Sequence, residues 1–402
     1  MVFGSGFSVG KGAETITTVK RSSTGVRPYT SVLEAGYFRG IAASYSLGRL
    51  EATLMLSNNA RDANLQFIRD SLDNSSSYLS SLVLSGLHRT QNEIQKKAQA
   101  REKNLGLNIN YQNINKTFRI GTNTLYTGYS QPIFPTERVY NQFEFRGESN
   151  FVQSVYFTYN YRNHYFFGET AISKSRGKGH VAGLMSSLNS KVDFSMVWRK
   201  YDRNFHTFYG NAFSEGSRPI NEEGLYLGIY FKPNRKFSWS AYYDYFSFPW
   251  MRFRVYAPSV GHEWLSRLKF RPNKQLTMFF QFREETKSRN LLSEDQPSSQ
   301  YLLAQGKRQN IVWSLNYLPD RKWQLKTRVQ QRFYKFAGKK TKGFLIAQSL
   351  SGEAGAWRFS GSLALFDTDD YENRQYLYEK NVLWAFSIPN FYDQGLRTYL
   401  LA

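Results

Sequence analysis

Along most of this chain, apolar side chains recur at every second position, and that period constrains the fold more than any other feature. Phe151, Val155, Phe157 and Tyr159 alternate with Ser154, Thr158 and Asn160, and Phe237, Trp239, Ala241, Tyr243 and Tyr245 with Ser238, Ser240 and Asp244. Leu276, Met278, Phe280 and Phe282 interleave with Thr277, Gln281 and Arg283. Trp323, Leu325 and Val329 do so with Gln324, Lys326, Arg328 and Gln330, and Trp357, Phe359, Leu363 and Leu365 with Arg358, Ser360 and Ser362. Successive side chains of a strand point to opposite faces, so each run reads as a strand with one apolar and one polar face.

The connections add a second rhythm. Short polar turns fall around Gly48 and at 113–116, 162–163, 189–190, 232–236, 272–274 and 320–321. Between them lie mostly longer connections: 58–103, 128–150, 202–222, 248–259 and 286–306. Tight turns gathered at one end and long loops at the other describe a meander of hairpins, as in outer-membrane barrels. The spacing predicts an all-β, transmembrane antiparallel β-barrel of roughly 16–18 strands, each of about 9–12 residues. A soluble β-sandwich alternates too, but rarely with so many consecutive hairpins of one-sided loop length. Trp264, Trp313, Trp323, Trp357 and Trp384 are expected near strand ends, as an interfacial girdle requires. In the longest loop, 58–103, the Gly- and Pro-free stretch Thr90 to Glu102 predicts a short helix.

Composition then removes alternatives. Aromatic residues make up 17% of the chain, too many for general disorder. There is no cysteine, hence no disulfide, cysteine-based zinc site, iron–sulfur cluster or thiol nucleophile. No run approaches the roughly 20 apolar residues of a spanning helix. The mean hydropathy of −0.54 is compatible with a barrel, whose lipid-facing and lumen-facing residues average out. Two regions are expected: a Gly/Thr-rich lead-in or plug segment, 1–35, and the barrel, 36–402. The start at Met1 without a secretory leader, and the end Thr398-Tyr399-Leu400-Leu401-Ala402 without a terminal aromatic, read as truncated ends.

The net charge of +22 supplies the first candidate site. With the apolar face toward lipid, the lumen receives Arg199, Arg267, Lys269, Arg271, Arg283, Lys326, Arg328, Arg332 and Arg358, with Asp193, Asp244 and Glu263 as the clearest acidic neighbours. A positive lumen attracts anions, from organic acids to nucleic acid; the plainer alternative is that these cations pair with a plug or with loop carboxylates. Lys174-Ser175-Arg176-Gly177-Lys178 and Lys339-Lys340-Thr341-Lys342 fall at the long-loop end, where phosphates of lipopolysaccharide or nucleic acid suit them.

Catalysis has little footing. His88, His164, His180, His206 and His262 are scattered without a two-histidine metal spacing, and no nucleophile–base pattern stands out. The stretch Gly4 to Gly12 is no phosphate-binding loop: Ser5 and Gly12 stand where that motif needs Gly and Ser or Thr. No cofactor and no metal is expected.

The order Val2-Phe3-Gly4-Ser5-Gly6-Phe7-Ser8-Val9-Gly10-Lys11, Lys20-Arg21, Arg27-Pro28-Tyr29-Thr30-Ser31-Val32 and Tyr37-Phe38-Arg39-Gly40 resembles outer-membrane proteins that carry periplasmic helix-hairpin-helix modules ahead of a large β-barrel. The resemblance covers about the first 45 residues. It implies a competence-like, DNA-associated role, but the modules themselves are not in this chain, so no DNA-binding residue transfers to these positions.

The sequence thus leads to a non-enzymatic integral barrel of a Gram-negative outer membrane, an uptake pore with a basic lumen for an anionic solute or DNA. The alternatives are a scaffold barrel that docks periplasmic or outer-membrane partner proteins or lipopolysaccharide, and, behind it, a barrel lipid hydrolase.

Overall fold

A computed structural model describes residues 11–19, 29, 36–69, 75–291, 302–382 and 387–402. The first described element is a single 3₁₀ turn, Ala13–Thr17, and the sheet starts with β1 (Gly40–Leu47) and β2 (Leu50–Arg61). A side hairpin follows, β3 (Ala63–Arg69) and β4 (Ser75–Leu82), and one helical turn, α1 (Gln91–Gln95). The wall resumes with β5 (Ala100–Gln112), β6 (Phe118–Ile133), β7 (Gly147–Tyr161), β8 (His164–Ser173), β9 (Lys178–Asn189) and β10 (Val192–Tyr201). It continues through β11 (Glu222–Phe231), β12 (Phe237–Phe248), β13 (Ser259–Phe270), β14 (Leu276–Leu291) and β15 (Leu302–Tyr317). Then come β16 (Gln324–Phe336), β17 (Lys339–Ala354) and β18 (Trp357–Thr368). After a short pair, β19 (Gln375–Tyr376) and β20 (Asn390–Phe391), β21 (Gln394–Leu401) returns to β18.

All but β19 and β20 belong to one 19-stranded sheet. With the β3–β4 hairpin set aside, seventeen strands form the wall, each antiparallel to the next, within the range the alternation predicts. Its edge strands, β1 and β21, therefore run in the same direction; no ladder joins them among the described residues. Among those residues no helix is long and apolar enough to cross a membrane.

The two faces separate as the period requires. Ile41, Leu54, Leu105, Val155, Trp198, Tyr243, Phe280, Trp313, Ile346 and Leu363 all point outward and are exposed. An apolar belt carried by every part of the wall is the lipid-facing surface of a transmembrane barrel. On the inner face the same strands carry buried polar groups: Asn104, Asn108, Asn123, Ser154, Arg199, Asp244 and Glu263. On β5–β7 these are neutral, with Asn108 donating to Asn123 (2.6 Å) and to the Tyr156 hydroxyl (3.1 Å).

Several local expectations change. The helix predicted over 90–102 covers only Gln91–Gln95, capped by the Thr90 hydroxyl on the Glu93 N–H, because Ala100 onward pairs with both β2 and β6. Those ladders also shorten the loop predicted at 58–103 to residues 62–99. Trp264 sits in the middle of β13 and Trp313 inside β15 rather than at strand ends; Trp323 and Trp357 do flank strand starts, and Trp384 lies outside the described residues. The connection 202–222 does not extend outward as a surface loop. It folds into the barrel, since Phe205, Tyr209, Ala212 and Phe213 are too apolar to remain in water and find buried contacts inside.

Candidate functional site

The interior is occupied by three pieces of the chain itself. The first is the N-terminal segment, residues 11–19. Its Ala13, Ile16 and Val19 pack against Phe167, Val197, Tyr226, Tyr242 and Leu265 on the inner wall. The wall leaves room for it: a Cβ on Gly228 would stand 3.1 Å from Ile16 Cγ1 and 2.7 Å from Ser195 Oγ. The second is the infolded loop 202–221, anchored where Tyr201 donates to the Phe213 carbonyl (2.7 Å) and Tyr209 to the Glu102 carboxylate. Burial first, and then the Glu102 charge, raises the Tyr209 phenol, which stays a donor. The third comprises residues 369–382 and 387–393, whose Leu377 and Phe391 pack on Leu345, Ala347 and Ala364.

A chain of ion pairs ties these pieces to the wall. Arg199, fully buried, donates to Glu222 (2.6 Å) and forks onto Asp244 (2.7 and 3.1 Å). Glu222 also accepts from the N–H groups of Glu215 (2.7 Å) and Gly216 (2.9 Å), which pins the infolded loop. Gly224 makes the fork possible, since a Cβ there would lie 2.6 Å from the Arg199 guanidinium carbon. Lys11 reaches both Asp244 and Glu215, and Lys287 reaches Glu215 and Glu285. From Glu285 the chain continues to Arg308, which holds Glu372 of the third piece at 2.6 Å. Arg283 closes a branch on Glu263 (2.6 Å), itself the acceptor for Tyr242.

Burial alone would raise the Glu215 carboxyl, but the adjacent Lys11 and Lys287 ammoniums more than offset it and hold it down to about 2. Burial likewise works against the charge on Lys11, yet Glu215, Glu263 and Asp244 raise it above the ordinary lysine value. The Lys11–Glu215 pair thus stays charged over the whole neutral range.

The nine sequence-predicted cations therefore divide. Arg199 and Arg283 are spent in the network and are unavailable to a solute. Arg332 donates to the Arg374 carbonyl (2.5 Å) of the third piece. Arg271 is a correction: it lies in the exposed turn after β13, past the inner wall. Arg358 is another, since it stands exposed at the start of β18 beside Glu353 (2.9 Å). Arg267, Lys269, Lys326 and Arg328 share the inner face of β13 and β16 toward the tight-turn end. Arg267 bonds Gln281 (2.8 and 2.6 Å) and Glu14 (3.0 Å), whereas Arg328 has only Gln330 (3.3 Å). No carboxylate pairs with Lys269, Lys326 or Arg328 among the described residues. Sequence reasoning identified Asp244 and Glu263 but missed Lys11, Glu215, Glu222, Lys287 and Arg308. Only their alternation parity hinted at Lys287 and Arg308, and nothing local marked the loop acids.

His164 and Ser186, on adjacent strands, lie within hydrogen-bond distance, Nδ1 to Oγ 2.7 Å, a pair the sequence did not single out, and no carboxylate orients that imidazole among the described residues. No group of three or more metal-ligating side chains occurs among them either. Of the residues on which the resemblance to helix-hairpin-helix barrel proteins was read, Lys11, Tyr29, Tyr37, Phe38, Arg39 and Gly40 fall within the described residues, and the others lie outside them.

No protein-family model matches the chain, and no curated protein matches it. Solved structures similar in shape include outer-membrane OmpT of Vibrio cholerae (8% identity, 89% of this chain and 98% of that one, TM-score 0.38). The outer membrane channel DcaP of Acinetobacter baumannii is another (10%, 87% and 96%, TM-score 0.37). FpvA of P. aeruginosa, solved with heterologous pyoverdines, is a third (10%, 89% and 57%, TM-score 0.45). The class defined by the apolar belt and polar interior is a transmembrane β-barrel whose lumen holds three segments of its own chain.

Proposed function

We propose that this chain is an integral barrel of a Gram-negative outer membrane that passes small anions through a lumen kept closed by its own inserted segments. The observation that carries the reading is an asymmetry along the interior: toward the long-loop end paired charges bind the N-terminal segment, and toward the tight-turn end Lys269, Lys326 and Arg328 have no carboxylate partner among the described residues. Unpaired cations beside a removable segment are what an anion route with a gate requires. A small solute suits them better than DNA, because a polyanion needs a long track of free cations, and most lumen arginines are already paired. The tight turns would then face the periplasm, leaving Lys174, Arg176, Lys178, Lys339, Lys340 and Lys342, all exposed at the other end, for lipopolysaccharide phosphates. No catalytic step is assigned.

Single-channel recording in planar bilayers tests this. The chain should conduct weakly, and Lys11→Met should raise conductance with anion selectivity that Arg267→Gln lowers. Silence in every variant would overturn it. The second reading, a scaffold barrel, is favoured by the extent to which inserted segments fill the lumen, and it predicts that silence.

A further inference from the structure

The four cations without network partners form one surface. Across the antiparallel ladders, Arg328 stands opposite Ser314, Ser314 opposite Phe279, and Phe279 opposite Lys269. Lys326 and Arg267 flank this row on the same inner face. The row crosses three strand spacings, about 14 Å of backbone. Side chains lean in from both ends: the Arg267 guanidinium lies 4.7 Å above the Phe279 ring, toward β16. Both guanidiniums are held by amide oxygens, Gln281 and Gln330, which orient them without neutralising them. The Arg328 Nε is buried with no acceptor at all.

One anion already sits at the rim. Glu14, on the inserted segment, accepts from Arg267 Nη1 at 3.0 Å although its side chain is 82% exposed. An exposed carboxylate gains little from an ion pair in water, so this contact marks a strong local positive potential. Four positive charges thus meet one negative, a net excess of three.

We propose that this surface is a binding site for a small acid bearing two or more carboxylates. One carboxylate replaces Glu14 on Arg267 and another engages Arg328 and Lys326, with Phe279 as the floor between them. Guanidinium forks match carboxylates bidentately, and the width of the row suits an acid with its charges on separate carbons. Because the solute and Glu14 compete for Arg267, occupancy releases one of the contacts that hold the inserted segment, three residues beyond the Lys11 pairs. The site rests on the reading of the lumen as an anion route, and names the class of solute.

The test is calorimetric titration of the full chain in detergent with citrate at constant ionic strength. Wild type should bind, and Arg328→Gln should bind about tenfold more weakly, the loss expected for one charge-assisted contact. Arg328→Lys should recover part of that loss, which a folding defect would not allow. Glu14→Gln removes the competitor and should tighten binding several-fold, whereas Glu353→Gln, which removes an exposed carboxylate remote from this row, should not. Citrate binding that ignores both Arg328→Gln and Glu14→Gln would overturn the site, as would no binding. Those results leave the conductance prediction standing. A barrel silent in bilayers that still shows the Glu14→Gln gain would reject the channel and keep the site.

Discussion

The two ends of the inner surface on β13 and β14 differ in one respect that organises the molecule. Toward the long-loop end, Glu263, Arg283, Glu285 and Lys287 each have an oppositely charged partner within the network. Toward the tight-turn end, Arg267 and Lys269 face Lys326 and Arg328 with Glu14 as the single counter-charge among the described residues. Taking charges out of water is costly, and paired charges recover that cost only when the geometry is complete. The paired end is therefore structural, and it fixes the inserted segments. The unpaired end stays in contact with water and remains free to take an anion from it. Equal basicity on one strand face thus serves two purposes, and the location of the carboxylates decides which.

The largest break in this contrast should come from Arg199→Ala, which leaves Glu222 and Asp244 buried without their cation. A loss of about 3–5 kcal/mol is expected, read as a shift of the denaturant midpoint in detergent. Arg199→Lys should recover only part of it, since a single ammonium cannot reproduce the fork onto two carboxylates.

Acid should act next. Released, the Glu215 carboxyl titrates near 4.5, and latched it is held to about 2, so the latched state binds fewer protons. Its contribution is present in full above pH 4.5 and is lost as pH falls from there toward 2. Bilayer conductance should hold steady from pH 5 to pH 8 and rise below that window; a rise on going from pH 8 to pH 5 would contradict the assignment.

Steric displacement should follow. Gly228→Val drives a side chain toward Ile16 while leaving every charge in place. In a chain with no cysteine, Ala13→Cys provides a unique thiol, and adding Gly228→Val should accelerate its labelling at neutral pH several-fold. Unchanged labelling would show that the segment does not depend on that cradle. The smallest effect belongs to Arg328→Gln, which breaks no ion pair and should move the denaturant midpoint by less than about 1 kcal/mol. A loss comparable to that of Arg199→Ala would erase the distinction between the two ends.

The alternation made the strands and their faces readable in advance. Phe237, Trp239, Tyr243 and Tyr245 point outward while Ser240 and Asp244 point inward, as period two demands. The tight turns were readable from their polar residues for the same reason: both signals are local. The site was legible in part. Arg267, Lys326 and Arg328 lie on the inner face as their parity indicates, and so does Arg199, but parity says nothing about what a side chain meets across the lumen.

By itself, then, the sequence determined a transmembrane sheet of about this many strands, its lipid-facing belt and a cationic interior, because each follows from side-chain direction along a single strand. Only the tertiary structure decided that residues 11–19, 202–221, 369–382 and 387–393 turn inward, that Lys11 meets Glu215 across 204 positions, and that Arg199 is spent on carboxylates while Arg328 meets only an amide. The physical reason is range. Strand facing is dictated by neighbours two residues apart, whereas charge compensation depends on which distant carboxylates the folded wall and its inserted segments bring within a few ångströms.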